Sequence, residues 1–237
     1  MIKAIIFDLD DTLIPERQYI ESGYKYIANI ISFKLGKNSF ELYHLLIELF
    51  EENSQKVFNR LFEKLEVTYS QEEIDNLVIE YRNHMPCIDF FEDVIPCIKL
   101  IKSKHIKLGI ITDGFTRAQH QKLNVTKADE IFDEIIVTDD LGREYWKPHP
   151  RAFEIMKERL NVEFEEMIYV GDNPEKDFYI RKIYPIQTIR INRGGHYSLK
   201  DYKLGIKENL LISSLLELEN IVKYGMFPYQ LRCNSRT

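Results

Sequence analysis

The chain opens on a short run, Ile2-Lys3-Ala4-Ile5-Ile6-Phe7, that is apolar apart from one lysine and stops at the acids Asp8 and Asp10. An apolar stretch of this length, closed by polar residues, predicts a strand buried on both faces of a parallel sheet. Comparable runs recur at residues 107–111, 134–138, 167–170 and 186–191, with helical patterns between them. Strand alternating with helix predicts a doubly wound α/β domain.

The gap between the first two strands is far longer than one crossover helix needs, and it has a helical periodicity of its own. Ile20, Tyr24, Ile27 and Ile31 make one apolar stripe, and Phe40, Tyr43, Ile47 and Phe50 are expected to make a second. Val57, Leu61 and Leu65 share a face, and Ser70 with Glu73 forms a capping box ahead of Ile74, Leu77, Val78 and Tyr81. The pattern predicts a four-helix insert over residues 15–86, with 1–14 and 87–237 forming the core. The chain is expected to re-enter the core through a helix around Val94, Ile98 and Ile101, with Pro96 tolerated in its first turn. Near the end, Leu211, Leu215, Leu218 and Val222 predict one helical face docked on the sheet.

Composition narrows the function classes. A hydrophobic share of 44% and a charged share of 30% are those of a folded globular chain. A net charge of −6 argues against a nucleic-acid-coating protein, whereas a small anionic substrate needs only a local set of donors or a metal. The three cysteines, Cys87, Cys97 and Cys233, are odd in number and lack metal-ligand spacing, which predicts reduced thiols. No segment resembles a signal peptide or reaches the roughly 18 apolar residues of a membrane span. The expectation is a cytoplasmic monomer or homodimer with neither a nucleic acid nor a membrane as partner.

In open parallel sheets ligands sit beyond the carboxyl ends of the strands, so the residues just after each apolar run carry the candidate chemistry. The first run ends Asp8-Leu9-Asp10-Asp11-Thr12, the second Thr112-Asp113-Gly114, and the fourth Gly171-Asp172-Asn173-Pro174 with Asp177 beyond. Lys147-Pro148 lies between the third and fourth. Each signal alone is weak, but five at one rim are not. Together D-x-D-x-T, the Thr closing the second strand, the Lys before the fourth and G-D-x-x-x-x-D after it resemble the haloacid dehalogenase-like superfamily. The likeness extends to about residue 192 and implies a Rossmann-like sheet with a helical cap inserted after the first motif. The segments 170–174 and 147–150 are similar to its phosphatase branch.

That resemblance implies hydrolysis of a small phosphorylated metabolite with Mg²⁺ as cofactor. Asp8 is the expected nucleophile, and Asp10 the acid and base that serves the leaving group and then the water. The metal set is expected to be Asp8, Asp172 and the main-chain carbonyl of Asp10, with Asp177 orienting it. Thr112, Asp113 through its backbone N–H, and Lys147 are the expected phosphate contacts. Some positions depart from the usual pattern. Asp11 stands where Gly is common, Asp113 where Asn is common, and Ile180, Arg181 and Pro185 where small residues are common. A phosphosugar mutase shares these motifs, a dehalogenase of the family lacks the Asp10 carboxylate, and a receiver domain carries its phosphoacceptor on a different strand. A binding protein that kept the fold is a further alternative. Arg17, Tyr19 and Lys25 are candidate leaving-group contacts, the 193–197 loop a candidate rim element and the 227–237 tail a candidate partner contact. His149 is expected to be structural, beside a helix that begins at Pro150.

Overall fold

A computed structural model of the chain describes residues 1–195 and 197–224; His196, Cys233 and the 227–237 tail lie outside the described residues. Six strands form one sheet: β1 (Ala4–Phe7), β2 (Lys107–Thr112), β3 (Glu134–Val137), β4 (Met167–Gly171), β5 (Gln187–Ile191) and β6 (Leu210–Ile212). Their order is β3-β2-β1-β4-β5-β6, and every neighbouring pair is parallel. The chain therefore builds outward from β1 in one direction and then restarts on its other side at β4. A crevice opens at such a reversal, and the carboxyl ends of β1 and β4 flank it.

Every residue of β1 is buried, because helices cover both faces of the sheet. Ile5 and Phe7 point into a cluster with Val94, Ile98 and Ile101 of α5 (Val94–Ser103), Leu123 of α6 (Thr116–Val125) and Leu218 and Ile221 of α8 (Leu218–Tyr224). Ala4 and Ile6 point the opposite way, against Phe153 and Met156 of α7 (Arg151–Leu160). The alternation follows from the two-residue repeat of a strand. Each fully buried Ile or Phe in these layers contributes roughly 1.5–3 kcal/mol of transfer free energy.

Between β1 and β2 lie α1 (Glu16–Leu35), α2 (Ser39–Glu52), α3 (Val57–Lys64) and α4 (Gln71–Asn83), packed around a hydrophobic cluster of their own. Gly36, at φ 63°, stops α1 with its N–H on the Ser32 carbonyl. Asn38 caps α2 by accepting from the Phe40 and Glu41 N–H groups, and α4 begins with the full Ser70–Glu73 capping box.

The structure differs from the sequence expectation in three places. In α2 the buried stripe is Leu42, Leu46 and Leu49, while Tyr43, Ile47 and Phe50 flank it and Phe40 is 68% exposed. The helix is apolar on two adjoining faces, and packing against α1 and α3 selects the leucines. Leu211 belongs to the edge strand β6 and is half exposed; only Leu215, Leu218 and Val222 belong to the helical surface docked on the sheet. The helix after His149 runs from Arg151, with Pro150 at its N-cap already at helical dihedrals.

Candidate active site

Parallel pairing sets Phe7 opposite Val170, and the Asp8 N–H donates to the Val170 carbonyl at 2.8 Å. The first residues past β1 and β4 are thus neighbours. Carboxylate oxygens of Asp8, Asp172 and Asp177 lie within 4.8 Å of one another, and all three residues are buried. Gly171 makes room for this grouping, since a Cβ there would collide with the Asp177 carboxylate. Asp177 is held from the loop side by the Asn173 N–H, at 2.9 Å.

Three carboxylates in one buried place repel, and Lys147 supplies the compensating charge. Its ammonium donates to Asp8 at 2.6 Å, to Asp177 at 2.9 Å and to the Tyr169 hydroxyl at 2.7 Å, with no exposed side-chain surface. Tyr169 in turn donates to Asp177 at 3.3 Å. Burial disfavours the Lys147 cation, but the Asp177 and Asp8 carboxylates outweigh it and hold the ammonium well above its ordinary range. Burial pushes the Asp8 carboxyl up to about 6, with Lys147 pulling the other way. Lys147 is thus the group that favours the ionised form of Asp8.

A divalent cation fits this donor set. Asp172 is the acid that Lys147 does not reach, and its carboxylate oxygens accept no hydrogen bond among the described residues. Burial, then Asp177 and Asp8, push its carboxyl up to about 9, so the cluster as it stands prefers to hold a proton there. Clustered hard oxygens short of positive charge match what Mg²⁺ takes as ligands.

Around the rim, the expected phosphate contacts are tied to one another. The Asp113 carboxylate accepts from the Thr138 hydroxyl at 2.7 Å, the Lys147 N–H at 3.0 Å and the Lys176 ammonium at 3.0 Å. All three partners are donors, and one is a cation, so a carboxylate suits the position better than an amide. Lys147 and Lys176 outweigh burial and hold Asp113 below the usual carboxylate range. The Gln119 amide nitrogen lies within reach of the Thr112 hydroxyl (2.6 Å), the Asp113 carbonyl (2.6 Å) and the Asp10 carboxylate (2.9 Å). Asp10 is also gripped by the Lys122 ammonium at 2.7 and 2.8 Å.

Asp11 adopts a left-handed conformation at φ 51°, which Asp tolerates better than most residues, and its carboxylate accepts the Glu16 N–H at 3.0 Å. It thus caps the first helix of the insert. Arg193 donates to the Thr12 carbonyl at 3.0 Å and to Asp93 at 2.8 Å, tying together the segments that leave for the helices and return from them.

Above the rim is a cavity of about 810 Å³ lined by Asp11, Glu16 and Gly195 and by Tyr24, Phe50 and Asn59 of the insert. A second, of about 320 Å³, lies beside Asp10, Asp113 and Arg82 and shares Glu16, Phe58 and Tyr81 with the first. Burial, then Asp10, push the Glu16 carboxyl up to about 7. Of the candidate leaving-group residues, Arg17 lines the larger cavity while paired with Glu21 and Glu51, Tyr19 packs near Asp10, and Lys25 lies over the Tyr43 ring. His149 accepts the Arg151 N–H at the start of α7, a structural contact.

Asp8, Asp172, Asp177 and Lys147 thus come together, with Asp10, Thr112 and Asp113 on the adjoining side. Four residues of the site escaped sequence reasoning: Gln119, Lys122, Tyr169 and Lys176. The first two carried a signal, because they are polar residues three apart on the buried face of α6.

Residues 5–190 match the family model of the haloacid dehalogenase-like hydrolases. The chain is 30% identical to the glyceraldehyde 3-phosphate phosphatase of Methanocaldococcus jannaschii, over 94% of this chain and 98% of that one. It is 32% identical to the enzyme of the same name from Pyrococcus abyssi, over 82% and 83%. The crystal structure of a HAD phosphatase from Thermococcus onnurineus superposes with a TM-score of 0.60 at 28% identity, covering 93% of this chain and 98% of that one. With the acid cluster at the β1–β4 crevice and a family match that runs from β1 to β5, the chain belongs to the haloacid dehalogenase-like hydrolases.

Proposed function

We propose that this protein is a Mg²⁺-dependent phosphatase that cleaves small phosphate monoesters through a phosphoaspartate on Asp8. The observation that carries the proposal is the buried group of Asp8, Asp172 and Asp177 with Lys147 among them. In the first half-reaction an Asp8 oxygen attacks phosphorus, the bond to the organic oxygen breaks, and Asp10 gives that oxygen a proton. In the second, Asp10 takes a proton from water, the water oxygen attacks phosphorus, and Asp8 leaves as a carboxylate. Asp8, Asp172 and the Asp10 main-chain carbonyl would hold Mg²⁺, with Asp177 orienting that set. Bound there, the ion would offset the repulsion between carboxylate and phosphate.

Lys147 keeps Asp8 ionised and in place, and offers its charge to the transferring oxygens. The Thr112 hydroxyl and the Asp113 N–H would complete the phosphate contacts. Residues 15–86 would act as a cap whose cavities receive the organic part. The named relatives make triose phosphates the first substrates to test. With Cys87 and Cys97 both free thiols, a reducing cytoplasmic setting is part of the proposal.

The test is phosphate release from 4-nitrophenyl phosphate and from glyceraldehyde 3-phosphate, with and without Mg²⁺. Turnover is expected only with the metal, and Asp8→Asn is expected to lower it by at least ~10³-fold. Equal rates for the native chain and Asp8→Asn would overturn the mechanism.

A further inference from the structure

Lys122 is a buried lysine on a helix of the core, outside every motif of the resemblance. It is 4% exposed and sits on α6 between Ala118, Gln119 and Leu123, where the helix faces inward. A buried ammonium needs a partner of opposite charge, and here it has one: both Asp10 oxygens, at 2.7 and 2.8 Å. Its other side lies 4.3 Å from the centre of the Tyr19 ring, on α1. Gln119, one turn earlier, donates to the same Asp10 carboxylate. Asp10 is thus gripped from the core by two residues of one helix, and the stronger grip is braced by the first helix of the insert.

We propose that Lys122 is a positioning residue for the reaction, fixing the Asp10 carboxyl group where it can pass a proton to the leaving oxygen. The inference rests on the acid–base role given to Asp10 above. A carboxyl with free rotation samples many orientations, and only those aligned with the departing oxygen are useful. An ammonium shared by both oxygens, with an amide on one of them, restricts that rotation. The brace against Tyr19 makes that restriction depend on α1 being docked.

A plain ion pair between core and insert would give the same geometry, so the test must separate holding the fold from holding a proton donor. Phenyl phosphate and 4-nitrophenyl phosphate carry the same ring but leaving oxygens of different basicity. Nitrophenolate departs as a stable anion, whereas phenolate benefits from a proton. A residue that aligns the donor therefore matters more for the first ester than for the second. Lys122→Met is expected to lower kcat/KM for phenyl phosphate by about 10- to 100-fold and for 4-nitrophenyl phosphate by less than about threefold. The ratio of the two values is independent of how much of the variant is folded. Lys122→Arg, which keeps a cation with two donors, is expected to bring the ratio back to within about threefold of the native one.

Asp10→Asn is run alongside and is expected to show the same selective loss. If it does, and Lys122→Met lowers both esters equally or neither, the positioning role is overturned and the acid–base role of Asp10 stands. If Asp10→Asn itself shows no selectivity between the esters, the acid–base reading fails, and the role of Lys122 falls with it.

Discussion

At the scale of single residues, the site is governed by an imbalance of charge. Asp8 and Asp177 share Lys147, while Asp172 forms no ion pair among the described residues, and burial with those two neighbours pushes its carboxyl from the ordinary 3.8 to about 9. Without metal, the folded protein binds a proton at Asp172 that the unfolded chain has released. That contribution is intact below about pH 4 and is lost as pH rises toward about 9, so the metal-free protein loses stability over this interval. Mg²⁺ competes with the proton for the same oxygens. The increase in melting temperature on adding Mg²⁺ is therefore expected to be larger near about pH 8 than near about pH 5, and Asp172→Asn is expected to shrink the difference to the part that Asp8 carries. A shift of the same size at both pH values would contradict the role given to Asp172. The acids themselves were legible from their place after apolar runs. Lys176 and Tyr169 were not: one is a lysine in a loop, the other an aromatic residue in a buried strand, and both acquire their roles through groups distant in sequence.

At the scale of elements, the insert meets the core through two connecting segments, and the structure shows what pins them. Asp11 closes the outgoing turn and caps α1, while Arg193 fastens the Thr12 carbonyl to Asp93, whose carboxylate also accepts from Ser214 and the Leu215 N–H. Asp11→Ala removes the cap and places a less tolerant residue in the left-handed region, which should cost about 1–2 kcal/mol in denaturant unfolding. Asp11→Gly loses the cap but relieves the backbone and should cost only a few tenths of a kcal/mol. Equal losses would mean that the left-handed backbone at position 11 costs a side chain nothing. Periodicity located all four helices because each buries one stripe, but in α2 it could not choose between adjoining apolar faces. Phe40 and Leu42 differ in exposure only because of what packs against them. The three-residue strand β6 was too short to show a period of its own, and Leu211 borrowed one from the helix that follows.

At the scale of the whole molecule, the strand order determines where chemistry is possible. Reversal of direction at β1 brings the ends of β1 and β4 together, and motifs separated by more than 160 positions converge on one crevice. The sheet was legible because β1 and β4 are apolar throughout and β2 and β3 carry short apolar runs, with helical patterns between them. The helical insert then encloses cavities over the crevice, and their walls come from pairs such as Glu16 and Asn59 that no local pattern joins. The covalent step on Asp8 is the centre of the proposed chemistry. The most direct measurement is rapid acid quenching of the protein during turnover of 4-nitrophenyl phosphate with Mg²⁺, followed by peptide mass spectrometry. A phosphoryl group on Asp8, absent in Asp8→Asn, is the predicted result; continued turnover with the label on another residue would contradict it.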